Sequence, residues 1–254
     1  MSKVIAIAGK GGTGKTTFCG LLIRHLTGEK KGSILAVDAD PNSNLNEVMG
    51  VPLPLTLGDM RDDMLEKESK EGLPAGMTKS EYMEFMFADV LTEEETYDLL
   101  VMGRTQGEGC YCFVNGILSG QIERYSGKYS YIVVDNEAGL EHVSRGTLPK
   151  IDIMLLISDS TRRGVQAAGR VKQIADHLDK KPEIMKLIVN RATDGKLSDG
   201  VLEEIKIQGL ELLGVLPNDE TVYLYDSEGR PSSTIPEDSL IKTELRDIIS
   251  KLNI

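Results

Sequence analysis

The stretch Gly9-Lys10-Gly11-Gly12-Thr13-Gly14-Lys15-Thr16-Thr17 fits the spacing G-x-x-x-x-G-K-[ST], the pattern of a phosphate-binding loop. Each residue type has a reason to be there. Glycines let the backbone close on an anion without Cβ clashes. Successive N–H groups of such a loop, backed by a helix N-terminus, form an anion cradle. In that frame Gly11, Gly12, Thr13, Gly14 and Thr17 wrap the phosphates of a nucleotide. Lys15 reaches its β- and γ-phosphates, and the Thr16 hydroxyl ligates Mg²⁺. Lys10 is a second lysine, directly after the first glycine, and the motif does not ask for it.

Three aspartates stand at the ends of short apolar runs. Asp135 closes Tyr131-Ile132-Val133-Val134, the position of an acid that assists Mg²⁺ beside a phosphate loop. Asp40 follows Ile34-Leu35-Ala36-Val37 and is suited to orient an attacking water and to hold Mg²⁺ through a water. Asp38 shares Asp40's side of an extended chain. It is a candidate for the same chemistry or for a loop cap.

A second chemistry is carried by sulfur. The chain has three cysteines, Cys19, Cys110 and Cys112, too few and too odd in number for a disulfide framework. Cys19 falls in the helix expected after the phosphate loop and reads as a small buried residue. Cys110 and Cys112 lie in Gly107-Glu108-Gly109-Cys110-Tyr111-Cys112-Phe113, where flanking glycines let two thiols converge on one ion. Thiolate pairs select nickel, zinc, Cu(I) or an iron–sulfur group. One pair half-fills a tetrahedral or square-planar site, and a two-fold dimer would supply four sulfurs.

These residues need a scaffold that brings strand ends together. Val4 to Ala8 reads as a buried strand ahead of the loop, and Phe18 to Leu26 as a helix behind it. Further apolar runs are Leu99 to Met102, Ile153 to Ile157, Lys186 to Val189 and Leu213 to Leu216. They are continuous rather than alternating, as parallel strands covered on both faces should be. Helix-length segments such as Gly164 to Leu178 and Asp199 to Gln208 separate them. The alternation implies an α/β protein with a doubly wound, mostly parallel sheet and helices on both faces. Its chemistry belongs at the carboxyl ends of the strands.

Residues 51–97 differ, being acidic, Met-rich and broken by Pro52, Pro54 and Pro74. They are expected to form a mostly helical insertion within a single domain spanning 1–254. Met60, Met64, Met77, Met83 and Met86 are expected to fill a core rather than to ligate a soft metal. The C-terminal pattern Leu240, Ile241, Leu245, Ile248, Ile249 and Leu252 is amphipathic. Its polar face mixes Lys242, Glu244, Arg246 and Asp247, so it is expected to dock on the body rather than on a membrane surface.

Composition narrows the partners. Over 254 residues the formal net charge is −11, and the sequence pI is about 4.9. That balance disfavours non-specific nucleic-acid and anionic-membrane binding. No apolar run reaches membrane-spanning length and no leader pattern opens the chain, so a cytoplasmic location is expected.

The loop with its extra Lys10 resembles the deviant phosphate loop of the dimeric ATPases that include MinD, ParA, Mrp and the nitrogenase iron protein. The resemblance covers most of the chain. Asp38-Ala39-Asp40-Pro41-Asn42 is similar to that family's switch I, and Asp135-Asn136-Glu137-Ala138-Gly139-Leu140-Glu141-His142 to its switch II. Val189-Asn190-Arg191 and Pro217-Asn218-Asp219 resemble its adenine-recognition segments. The resemblance implies ATP and ADP as ligands, with Asn190, Pro217 and Asp219 at the base. It also implies a homodimer in which Lys10 reaches the partner's phosphates. A second cation there would stabilise charge that develops in the transition state. The mid-sequence Cys-x-Cys pair is most similar to the nickel-handling ATPases of carbon monoxide dehydrogenase maturation. That similarity implies Ni²⁺, with Zn²⁺ as a substitute, bridged across the dimer by Cys110 and Cys112, and that dehydrogenase as client. His142 reads as a switch or structural residue rather than a ligand. The alternatives are a positional or DNA-partition ATPase and an iron–sulfur electron-transfer or scaffold ATPase.

Overall fold

Along β1 (Lys3–Gly9), Val4, Ala6 and Ala8 belong to one apolar core while Ile5 and Ile7 belong to another. Side chains of a strand alternate between faces, so an uninterrupted apolar run demands cover on both. The computed structural model describes residues 2–70, 72–74, 76–105, 112–138, 148, 150–252 and 254, with the backbone alone at 80, 112 and 113. Within them the cover is supplied by helices on either side of one sheet.

The elements follow in the order β1, α1 (Lys15–Gly28), β2 (Ile34–Ala39), α2 (Leu45–Met49), α3 (Leu57–Lys70), α4 (Lys79–Val90), β3 (Thr92–Glu93), β4 (Asp98–Val101) and α5 (Cys112–Tyr125). Then come β5 (Tyr131–Asn136), β6 (Ile153–Asp159), α6 (Arg162–Asp176), β7 (Ile184–Ala192), α7 (Asp199–Ile207), β8 (Leu212–Pro217), α8 (Glu220–Ser227) and α9 (Leu240–Ser250). The strands lie in the order β3-β4-β2-β5-β1-β6-β7-β8. All neighbours are parallel except β3, which runs antiparallel to β4. Helices α3 to α7 contribute to the first core, and α1, α2, α8 and α9 to the second. This is the doubly wound, mostly parallel sheet that the apolar runs require.

Local signals fix the helix starts that matter here. Thr161 accepts from Gly164 N at 3.0 Å and caps α6, and Asp219 accepts from Thr221 N at 2.8 Å and caps α8. Such caps satisfy N–H groups that a helix cannot satisfy itself. The 51–97 stretch contributes α3 and α4, with Met60 and Met64 buried, but Met77 is exposed and fills no core. Three elements carry too little pattern to be anticipated. These are the two-residue polar edge strand β3, the five-residue α2, and α8. In α9 the apolar face of Ile241, Leu245, Ile248 and Ile249 is buried in the second core, as its mixed polar face implied. Among the described residues no helix is long and apolar enough to cross a membrane.

Candidate functional site

The strand order puts β2, β5 and β1 side by side. In register, Asp38 of β2 pairs with Asp135 of β5, and Asp135 with Ile7 of β1. The phosphate loop leaves β1 just beyond Ile7 and leads into α1. Two acids and the loop, remote in sequence, thus meet at the carboxyl edge of the sheet.

The loop is tightly held. A Cβ at Gly9 would lie 2.2 Å from the Ile157 carbonyl oxygen on β6, so only glycine fits the start. Gly14, the N-cap of α1, has φ +88°, and a Cβ there would lie 2.5 Å from Asn190 Nδ2. Within the loop, Thr13 Oγ1 donates to the Lys10 carbonyl at 2.9 Å and Lys15 Nζ donates to the same oxygen at 3.4 Å. Lys15 is buried and Lys10 is exposed. From β7, Asn190 Nδ2 donates to the Thr13 carbonyl at 2.9 Å and Arg191 Nη1 to the Gly12 carbonyl at 3.1 Å. Arg191 adopts φ +56°, and its N–H donates to Asn190 Oδ1 at 2.9 Å. Sequence reasoning assigned Asn190 to a base. Here each end of its amide makes one bond to the protein, which leaves one N–H and one lone pair. The brace by Arg191 was not anticipated.

Asp135 is buried and its carboxyl is pushed up to about 7. Burial is the largest cause and the Asp38 charge adds to it. The Thr16 hydroxyl bond and the Lys15 charge oppose the rise. Asp135 Oδ1 is buried without a hydrogen-bond partner. An orphaned carboxylate oxygen beside the hydroxyl of Thr16 is a set of hard oxygen donors, and it fits a divalent cation such as Mg²⁺. Asn136 steadies this strand end by donating to the Ile7 carbonyl at 2.9 Å.

Asp38 is fully buried, and both its carboxylate oxygens accept backbone N–H groups: Oδ1 from Asp40 at 3.0 Å and Oδ2 from Leu45 at 2.9 Å. Burial pushes its carboxyl up to about 6 against those bonds. Both oxygens of Asp38 thus bond to the backbone of the 40–45 loop. Asp40 is half-buried, and its Oδ1 accepts from Asn42 N at 2.8 Å and Asn42 Nδ2 at 2.9 Å. Both of these bonds reach the same oxygen.

Beside α1 a cavity of about 270 Å³ opens between β7, β8 and α8, lined by Gly14, Phe18, Asn190, Pro217, Asp219 and Tyr223 among others. The three residues assigned to base recognition therefore share one cavity that adjoins the phosphate loop. Asp219 Oδ2 also accepts from Ile241 N at 3.0 Å, which ties the cavity wall to α9. Tyr223 is mostly exposed at its rim and carried no signal in the sequence.

Gly107, Glu108, Gly109, Cys110 and Tyr111, and Gly139, Leu140, Glu141 and His142, lie outside the described residues. The backbone of Cys112 opens α5. Among the described residues no cluster of three or more His, Cys, Asp or Glu forms a metal site. Cys19 is buried, and desolvation raises its thiol pKa well above the usual value.

Against known proteins, the family described as the CobQ/CobB/MinD/ParA nucleotide binding domain matches residues 4–232. An uncharacterised ATP-binding protein of Methanocaldococcus jannaschii is 40% identical over 251 residues, covering 98% of each chain. The carbon monoxide dehydrogenase accessory protein CooC of Rhodospirillum rubrum is 28% identical over 238 residues, covering 89% of this chain and 87% of CooC. Among solved structures, septum site-determining MinD from Pyrococcus horikoshii, complexed with Mg-ADP, superposes with a TM-score of 0.72 at 21% identity. The match covers 100% of this chain and 96% of that one. A ParA family ATPase from Chlorobium tepidum gives 0.74 at 20% identity, covering 99% of each. These two likenesses are of fold.

Proposed function

We propose, for a chain that belongs to the CobQ/CobB/MinD/ParA nucleotide-binding family, a homodimeric ATPase that holds nickel between two Cys110–Cys112 pairs and helps insert it into carbon monoxide dehydrogenase. The chain is an ATP-binding P-loop ATPase. In this reading the loop amides and Lys15 hold the phosphates, and Mg²⁺ sits on Thr16 with Asp135 behind it. Asp40 orients the attacking water, and Lys10 comes from the partner subunit to meet charge developing on the transferred group. Asn190, Pro217 and Asp219 surround the adenine.

The observation that carries the nickel assignment is the Cys110-Tyr111-Cys112 spacing between glycines, a thiol pair that half-fills a site for nickel or zinc. The segment bearing the pair runs from β4, whose neighbour β2 leads into Asp40. Metal and nucleotide would then act on neighbouring segments, and each must shift the affinity of the other by the same factor. The similarity to CooC supports the client. Neither nucleic acid nor membrane is a partner in this reading.

Equilibrium titration with Ni²⁺ and Zn²⁺ tests it, on the native protein and on Cys110→Ser/Cys112→Ser. One ion per dimer is expected, with sulfur-to-nickel charge-transfer absorption that weakens as pH falls, because protons compete for thiolates. One ion per monomer, bound with full affinity by the double variant, would overturn the bridged site.

A further inference from the structure

The stem of the cysteine-bearing segment meets the loop after β2 through one charged side chain. Arg104, just beyond β4, donates from Nη2 to Oδ1 of Asn42. Asn42 donates from Nδ2 to Oδ1 of Asp40 at 2.9 Å. The bonds run in one direction, from guanidinium to amide oxygen and from amide N–H to carboxylate. That polarity selects one orientation of the Asn42 amide. Turned over, it would set a carbonyl oxygen against the carboxylate and an NH₂ against the guanidinium.

The base from which Arg104 reaches is fixed. Met102 N donates to the Asp38 carbonyl at 2.8 Å, and Gly58 N donates to the Met102 carbonyl at 2.9 Å. A Cβ on Gly58 would lie 2.2 Å from the Arg104 carbonyl oxygen, so the start of α3 clasps this backbone. Arg104 and Asn42 are both exposed, so what is fixed is the backbone from which the guanidinium holds the amide, and the amide holds an acid.

We infer that Arg104 is a positioning residue for hydrolysis, acting through Asn42 to hold Asp40, and that it thereby ties turnover to the segment carrying Cys110 and Cys112. This rests on the reading of Asp40 as the acid that orients water. Removing Arg104 frees the amide to turn, and small misplacements near the reacting atoms slow turnover strongly.

The test is steady-state ATPase with Mg²⁺ and no added nickel or zinc, on Arg104→Ala, Asn42→Ala, their double variant, Arg104→Lys and Asp40→Ala. Arg104→Ala should lower kcat by about 10-fold or more while KM for ATP changes little. Arg104→Lys should restore part of the loss. The double variant should be no slower than the slower single variant, because both act on one bond chain. Native turnover in Arg104→Ala, or losses that multiply in the double variant, would overturn the inference. Native turnover in Asp40→Ala would instead sink the underlying reading. Slow Asp40→Ala with native Arg104→Ala sinks this inference alone. If Arg104→Ala does not fold, Arg104→Gln enters the same cycle and is judged by the same outcomes.

Discussion

Asp38 and Asp135 are register partners on the parallel strands β2 and β5, and burial holds both carboxyls above the ordinary range, near 6 and 7. The Asp38 charge adds to the rise at Asp135. The fold therefore keeps two acids where ionising them is costly. A cation at Thr16 and Asp135 would relieve that cost.

The pH dependence follows. Both acids have folded pKa values above their unfolded ones, so the folded state binds more protons across that interval. Their contribution to the stability of the metal-free, nucleotide-free protein should then fall as pH rises from about 4 to about 7, opposed by Asp63, Glu81 and Glu204, whose carboxyls are lowered. Each unit of upward shift is worth about 1.4 kcal/mol. Asp135→Asn should flatten that slope and raise the melting temperature near pH 7.5, while weakening Mg²⁺-dependent nucleotide binding. Thermal unfolding from pH 4.5 to 8 checks this, and an unchanged slope in the variant would refute it.

The grip of Asn190 on Thr13 should matter for binding. Asn190→Ala leaves the Thr13 carbonyl without its partner, a loss of about 1–3 kcal/mol. ATP affinity should drop by about 2- to 12-fold if half of that reaches the bound state. Gly14→Ala should be worse, because it combines a positive φ with a contact at 2.5 Å from Asn190 Nδ2. Calorimetric titration with ATP reads both. A double variant weaker than Gly14→Ala alone would show that the steric term is not the cause.

The two lysines of the loop should separate. Lys15 is buried and bonded within its own loop, whereas Lys10 is exposed. Lys15→Ala should abolish ATP binding. Lys10→Ala should keep binding but lose turnover and ATP-induced dimerisation together. In a mixed dimer of the two variants, one site retains Lys15 and receives Lys10 from its partner. Partial recovery of hydrolysis is expected, and none in verified heterodimers would rule out action across the dimer.

Thiol reactivity should divide two to one. Cys19 is fully buried with its thiol pKa raised, so it should resist a thiol-specific chromogenic reagent until the protein unfolds. Cys110 and Cys112 should react in the native metal-free protein and be shielded by Ni²⁺. Rapid native labelling of Cys19, read by mass spectrometry, would contradict the buried assignment.

The strands β1, β2, β5 and β6 are legible in the sequence because each is an unbroken apolar run bounded by Gly or Asp. Lys15, Thr16 and Asp135 follow from motif spacing and strand ends. What stayed hidden depends on long-range contact or on backbone angle. Asn190 and Thr13 are separated by 177 positions, and nothing local marks the φ of +56° at Arg191. Asp38 and Asp40 look alike in spacing. They differ in their partners because the loop folds back and its N–H groups bond to both oxygens of Asp38. Edge strand β3 is polar and two residues long, so periodicity has nothing to register.

β1 lies between β5 and β6, and the loop that follows it is held by Asn190 and Arg191 of β7. Synthesis runs from the N-terminus, so β1 and its glycine loop leave the ribosome before the strands that flank and brace them. Until then β1 is an apolar strand with both edges open, a template for wrong pairing. A nascent chain that stops before β7 carries the whole phosphate-binding motif yet lacks the clamp that shapes it. Nucleotide binding is thus acquired only once β7 has been made, and ATP would then stabilise the closed cradle.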